Sequence, residues 1–196
     1  MKKILPLIAV TAVFIAACVP SVNPFYTDKD VITDSHLPGT WQEDGNKDKP
    51  NVWKFETTTN NAYSLTLTDG EGKTGKFESH LFKMGEATFL DLTPSECDFS
   101  TNQAALASSA MIPGHLLLRV RLSADKLNLA VCNPDWVKKY LAEHDAEVAH
   151  RITDGSVVLT DTTSALQKFV LKHMGQDELF NEGMDCSRRG DTGNGK

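Results

Sequence analysis

Apolar and polar residues alternate through most of the middle of this chain. Val52–Glu56 places Trp53 and Phe55 on one side, and Ala62–Thr68 does the same with Tyr63, Leu65 and Leu67. Farther on, Leu116, Leu118, Val120 and Leu122 oppose Leu117, Arg119 and Arg121, and Lys126–Val131 sets Leu127, Leu129 and Val131 inward. A period of two marks a strand with one buried face. Turn signals separate the runs: Thr59-Asn60-Asn61, Asp69-Gly70-Glu71-Gly72, Gly85-Glu86 and Ser123-Ala124-Asp125. Short strands joined by such turns predict hairpins in series, hence an antiparallel sheet.

The period lengthens late in the chain. Asn133 followed by Pro134 is a helix start, with Asn as N-cap and Pro at N1. From there to His144, Trp136, Val137, Tyr140 and Leu141 form one apolar stripe. Asp154-Gly155 turns into Ser156–Thr160, read as the last strand, and a second helix from Thr162 or Thr163 to Met174 buries Ala165, Leu166, Phe169 and Val170 before Gly175 stops it. The fold class is therefore mainly β with flanking α. Seven or eight strands in meander order form a barrel or strongly curved sheet, with two C-terminal amphipathic helices; closing the sheet removes its edges.

One apolar run does not alternate. Met1-Lys2-Lys3 is a basic start, and Ile4–Ala17 is an unbroken greasy segment ending in small residues. It is shorter than the roughly 20 residues that span a bilayer and has the grammar of a secretory signal. Ile15-Ala16-Ala17-Cys18 resembles the lipobox of bacterial lipoproteins. That resemblance implies cleavage before Cys18 and a diacylglyceryl group on its thiol, an anchor of palmitate-like acyl chains. Two chains hold a protein stably where one, at ~0.8 kcal/mol per buried CH₂, does so only marginally. The partner so implied is the membrane, reached through the lipid on Cys18. Val19, where inner-membrane lipoproteins tend to carry aspartate, resembles the outer-membrane pattern, on the periplasmic face.

Residues 1–17 are thus read as signal peptide, 18–38 as lipidated cysteine and flexible tether, 39–186 as one β-rich domain, and 187–196 as a disordered tail. A tether of that length would stand the domain ~25 Å from the bilayer. Loss of Lys2 and Lys3 leaves 18 basic against 26 acidic side chains. Such a balance argues against nucleic acid as a partner and against electrostatic docking on anionic headgroups.

Gly39-Thr40-Trp41, at the first strand, resembles the Gly-x-Trp opening of lipocalin-type barrels. In those barrels the Trp plugs one end beside a basic residue, and Arg119, Arg121 and Arg151 are the candidates for that partner. A longer stretch, from Asn23–Trp41 through His115–Leu122 and Asn133–His144 to Val157–His173, is similar to a family of uncharacterised bacterial lipoproteins; it implies the envelope and no activity.

Candidate chemistry is sparse. Glu143, His144, Asp145, Glu147 and His150 cluster, but their spacing is that of a solvated helix end rather than a metal site. Arg189-Gly190-Asp191 spells an adhesion tripeptide in the tail. No cofactor or metal site is expected. Pro94–Gly114 joins two strands by a long connection, and Met111, Ile112 and Pro113 would form an apolar rim for a ligand or partner. Cys97 and Cys132 fall at one end of the sheet and are the leading candidate disulfide, ahead of either pair with Cys186, since three cysteines beyond Cys18 allow one bridge. The bulky inward sets favour a filled barrel: a non-catalytic binding or interaction module for an envelope protein. The alternatives are a carrier of a small apolar ligand, or an envelope hydrolase using His80 or His115 as base.

Overall fold

A computed structural model describes residues 18–95, 114–153, 156–176 and 178–190. Its strands are β1 (Pro20–Ser21), β2 (Gly39–Glu43), β3 (Val52–Thr57), β4 (Tyr63–Thr68), β5 (Thr74–Met84), β6 (Ala87–Pro94), β7 (His115–Leu122), β8 (Lys126–Val131), β9 (His150–Thr153), β10 (Ser156–Leu159) and β11 (Met184–Arg188). Helices α1 (Pro134–Glu143) and α2 (Thr163–His173) lie between them. Strands β2 to β8 pair in sequence order, β11 inserts between β8 and β2, and β6 pairs with β7. The result is a closed antiparallel barrel of eight strands, lipocalin-like in architecture.

Period-two patterning builds the inside of this barrel. Trp41, Trp53, Phe55, Tyr63, Leu65, Leu90, Leu118, Val120, Leu127 and Leu129 are all buried in one cluster, with Leu67, Leu116, Leu122 and Val131 packed against it. The turns are those the residues dictate. Asn60 and Asn61 take the left-handed conformation between β3 and β4, which asparagine tolerates better than other side-chain-bearing residues. Gly85, at φ +57°, opens the two-residue turn from β5 to β6.

The outer wall of β5 to β8 is not wet. A second cluster covers it, in which Phe82, Met84, Phe89, Leu117 and Ala130 of the barrel meet Val137 and Leu141 of α1 and Leu166, Phe169 and Val170 of α2. Both helices start as their caps require. The Asn133 side chain accepts from the Asp135 and Trp136 amides at 3.1 and 3.3 Å, and Thr162 Oγ1 accepts from the Ala165 amide at 3.4 Å. Ser156–Leu159 is a strand, as expected, but it is not the last one, since β11 follows, and it lies outside the barrel between β1 and β9.

Two domain boundaries need correction. Residues 18–38 are not a flexible tether: Val19, Ser21, Phe25 and Leu37 are buried, and β1 pairs with both β7 and β10. The Ile32 amide donates to Leu81 O at 2.8 Å and the Lys83 amide to Asp30 O at 3.0 Å, so the segment is a strap bound to the barrel. Its prolines suit an extended chain, and apolar residues between them supply the burial. The domain also runs past Cys186. Ser187 and Arg188 belong to β11, whose partners on β8 and β2 close the barrel, leaving 191–196 of the expected tail outside the described residues.

Candidate functional site

The end of the barrel where β2 begins is plugged. Trp41 is fully buried and donates its indole N–H to Leu37 O at 2.9 Å. Across its ring lies the guanidinium of Arg188, with Cζ 4.2 Å from the centroid. Arg188 also donates to Pro38 O at 2.9 Å, to Ala124 O at 2.8 Å and to His36 O. One side chain thereby ties the first barrel strand, its entry and the β7–β8 turn to the last strand. Gly39 makes this possible: a Cβ there would sit 2.3 Å from an Arg188 nitrogen, on a backbone already at φ +135°. The basic partner of the Gly-x-Trp opening is therefore Arg188, not Arg119, Arg121 or Arg151. Tyr63 completes the plug, its hydroxyl accepting from the Asp34 amide at 2.9 Å.

A cleft of about 390 Å³ opens beside the plug, between the strap and the barrel wall. Ile32, Leu81 and Leu122 supply apolar lining, and Thr33, Asp34, Lys83 and Thr88 the polar lining. Inside the barrel, Trp53 is 7% exposed and its buried indole nitrogen has no hydrogen-bond partner. A buried N–H without an acceptor costs ~1–3 kcal/mol, and an occupant carrying an acceptor could recover it.

Polar side chains gather on the outer wall beneath the strap. Asp91 of β6 is 1% exposed; its Oδ2 accepts the Phe25 amide at 2.9 Å, and its Oδ1 lies 2.7 Å from His115 Nδ1. Thr93 Oγ1 approaches the same His115 nitrogen at 3.0 Å. His80, opposite Asp91 in the β5–β6 ladder, stacks on Tyr26 and meets its hydroxyl at 3.0 Å through Nδ1. Burial, helped by the charges of Asp91, Glu78 and Asp28, pushes the Tyr26 phenol up to about 12.

The structure thus bonds His115 of the hydrolase alternative to a buried carboxylate and places His80 opposite that carboxylate in the ladder, its own Nδ1 on Tyr26. A carboxylate on Nδ1 does orient an imidazole as a base. Yet Ser21, the residue opposite His115 in the β1–β7 ladder, is fully buried and accepts from the Asn23 amide at 3.2 Å, out of reach of substrate. Asp91 works here as a clamp: it satisfies a strap amide inside a buried wall.

Cys18 is half-buried, and burial raises its thiol. Cys132 is a buried free thiol, pushed up to about 12 by burial and by Cys18 nearby; Cys97, its expected partner, lies outside the described residues. Outside them too lie residues 1–17, expected to be the signal segment, and Met111, Ile112 and Pro113, the expected rim.

The acidic cluster after α1 has a structural role. Glu147 accepts from Tyr140 Oη at 2.6 Å, Lys172 Nζ at 2.8 Å and His173 Nε2 at 2.8 Å, tying α1 to the end of α2. Burial raises its carboxyl, but the bonds from Lys172, Tyr140 and His173 outweigh that and hold it at about 2. Among the described residues, no group of three or more His, Cys, Asp or Glu is arranged to hold a metal, and no helix is long and apolar enough to cross a membrane.

These features define a class by architecture: a lipocalin-like barrel, closed at one end by a Trp–Arg stack, with a helical layer on its wall. Comparison with family models, curated proteins and solved structures finds no match to this chain.

Proposed function

We propose that this chain is a lipid-anchored protein of the bacterial envelope, attached through Cys18 at the periplasmic face of the outer membrane, and that it acts as a non-catalytic interaction module. The observation that carries the module reading is the filled barrel. Trp41, Phe55, Tyr63, Leu65, Leu81, Leu90 and Leu127 are each at most 2% exposed and pack against one another inside it. An eight-stranded barrel can hold its own side chains or one small ligand, and this one spends most of its interior on side chains. Its partner would then meet the outside, an envelope protein being the expected class.

A second reading, a carrier of a small apolar ligand, draws on the cleft beside the plug and on the unpartnered Trp53 N–H. The cleft's volume lies near the lower end of the ~300–1,000 Å³ of small-molecule sites. Titration of the purified protein with an apolar fluorescent probe separates the two. The module reading expects no saturable binding up to tens of micromolar, together with an envelope protein crosslinked to the anchored form in cells. Saturable binding at about micromolar Kd, lost on Leu81→Asp, would replace it with the carrier reading.

A further inference from the structure

The strap changes what anchoring at Cys18 would mean. Burial alternates along its first residues: Val19 and Ser21 face in, whereas Cys18 and Pro20 are partly exposed and Val22 is 43% exposed. Val19 is already part of the wall core, so no spacer separates Cys18 from the folded domain. At about 3.5 Å per residue, a lipid on Cys18 would emerge against the wall itself.

That wall is a small sheet in which β1 pairs with β10 and β10 with β9. One face packs on the helices through Val157 and Leu159. The other carries the alternate residues: Pro20 and Val22 from β1, half-buried Val158 from β10, and exposed Arg151, which pairs with Val158. Ile152, 49% exposed, pairs with Val157 and so belongs to the helix-facing side of the edge strand, not to this face. With strands ~4.8 Å apart and residues ~3.4 Å apart along them, Val22, Val158 and Arg151 lie within about 12 Å of one another across the sheet.

We infer that this β1–β10–β9 face, open at Val22 and Arg151 among the described residues, with Val158 between them and Cys18 at the start of β1, rests on the phospholipid bilayer and fixes the orientation of the barrel. The inference depends on the acylation proposed above. By the alternation along β1, Cys18 shares the face of Pro20 and Val22, about 13 Å from Val22 along the strand. Apolar side chains suit the acyl–headgroup boundary, and a guanidinium pairs with lipid phosphate, the usual arrangement of interfacial surfaces.

The test uses the full, acylated protein in vesicles of phosphatidylcholine with brominated acyl chains, which quench tryptophan at the boundary. Val22→Trp and, should that variant melt early, Arg151→Trp report the proposed face. Lys54→Trp reports β3, four strands from β7 either way around the barrel. The added fluorescence at 22 or 151 should fall about twofold or more in brominated relative to ordinary vesicles, and that at 54 should not change. Equal, negligible quenching at all three sites, with Cys18 shown by mass spectrometry to carry its lipid, overturns the seat and leaves the anchored reading intact. An unmodified Cys18 overturns both.

Discussion

The inside and the outside of this barrel are built on different logic. Inside, each strand contributes every second residue, and neighbours in the core are mostly neighbours in the chain's hairpins. Outside, the wall of β5 to β8 is covered by segments from the two ends of the sequence. Phe25 donates its amide to a residue 66 positions away, and Gln167 donates back to Phe25 O across 142 positions. The interior is local in sequence except at its closure, which needs β11 from the far end of the chain. The wall forms only when the strap and α2 arrive together, so local insults should separate the two regions.

The largest effect is expected in the interior. Trp41→Ala removes a fully buried indole and its bond to Leu37, at ~3–5 kcal/mol, and should lower the denaturant midpoint of the whole molecule in one transition. Arg188→Ala, which empties the same end from the other side, should cost about 2 kcal/mol; Arg188→Lys should recover little of it, because one ammonium cannot reach three carbonyls and the Trp41 face together. On the outside, Asp91→Ala leaves the Phe25 amide and His115 without their buried partner. A loss of ~1–3 kcal/mol should appear as protease cleavage in the strap before the barrel unfolds.

A smaller, pH-dependent effect should be confined to the helices. The Glu147 carboxyl is held at about 2, below its ordinary 4.5, so its contribution is complete above about 4.5 and disappears as pH falls through about 2. Melting temperature should therefore decline over that window, and Glu147→Gln should flatten the decline. The smallest expected effect is at Val22, 43% exposed: Val22→Ser should leave stability within about 0.5 kcal/mol of the parent.

Most of the barrel was legible in the sequence because a buried face repeats every two residues, and both helix caps were legible because Asn133-Pro134 and Thr162 act locally. The Gly-x-Trp end was half legible. Its partner Arg188 sits in a polar, glycine-bordered C-terminal stretch whose composition reads as tail, and nothing local marks it as a strand. The strap was misread for a similar reason: three prolines in twenty residues suggest a linker, although Val19, Phe25 and Leu37 between them are core residues. Asp91 was hidden by its own periodicity. Its position in Ala87–Pro94 is the outward one, where an acid looks solvated, and only the strap shows that this side is covered.

The chain is folded onto the barrel from Val19 onward, so that no linker separates Cys18 from the domain. Native-state hydrogen exchange of the Val22, Phe25 and Ile32 amides, each donating in the strap, tests it most directly. Protection of Phe25 and Ile32 approaching that of the barrel amides of Leu65 and Leu118 is the predicted result. Exchange of all three at the rate of an unstructured peptide, with Leu65 and Leu118 still protected, would contradict it and restore the tether.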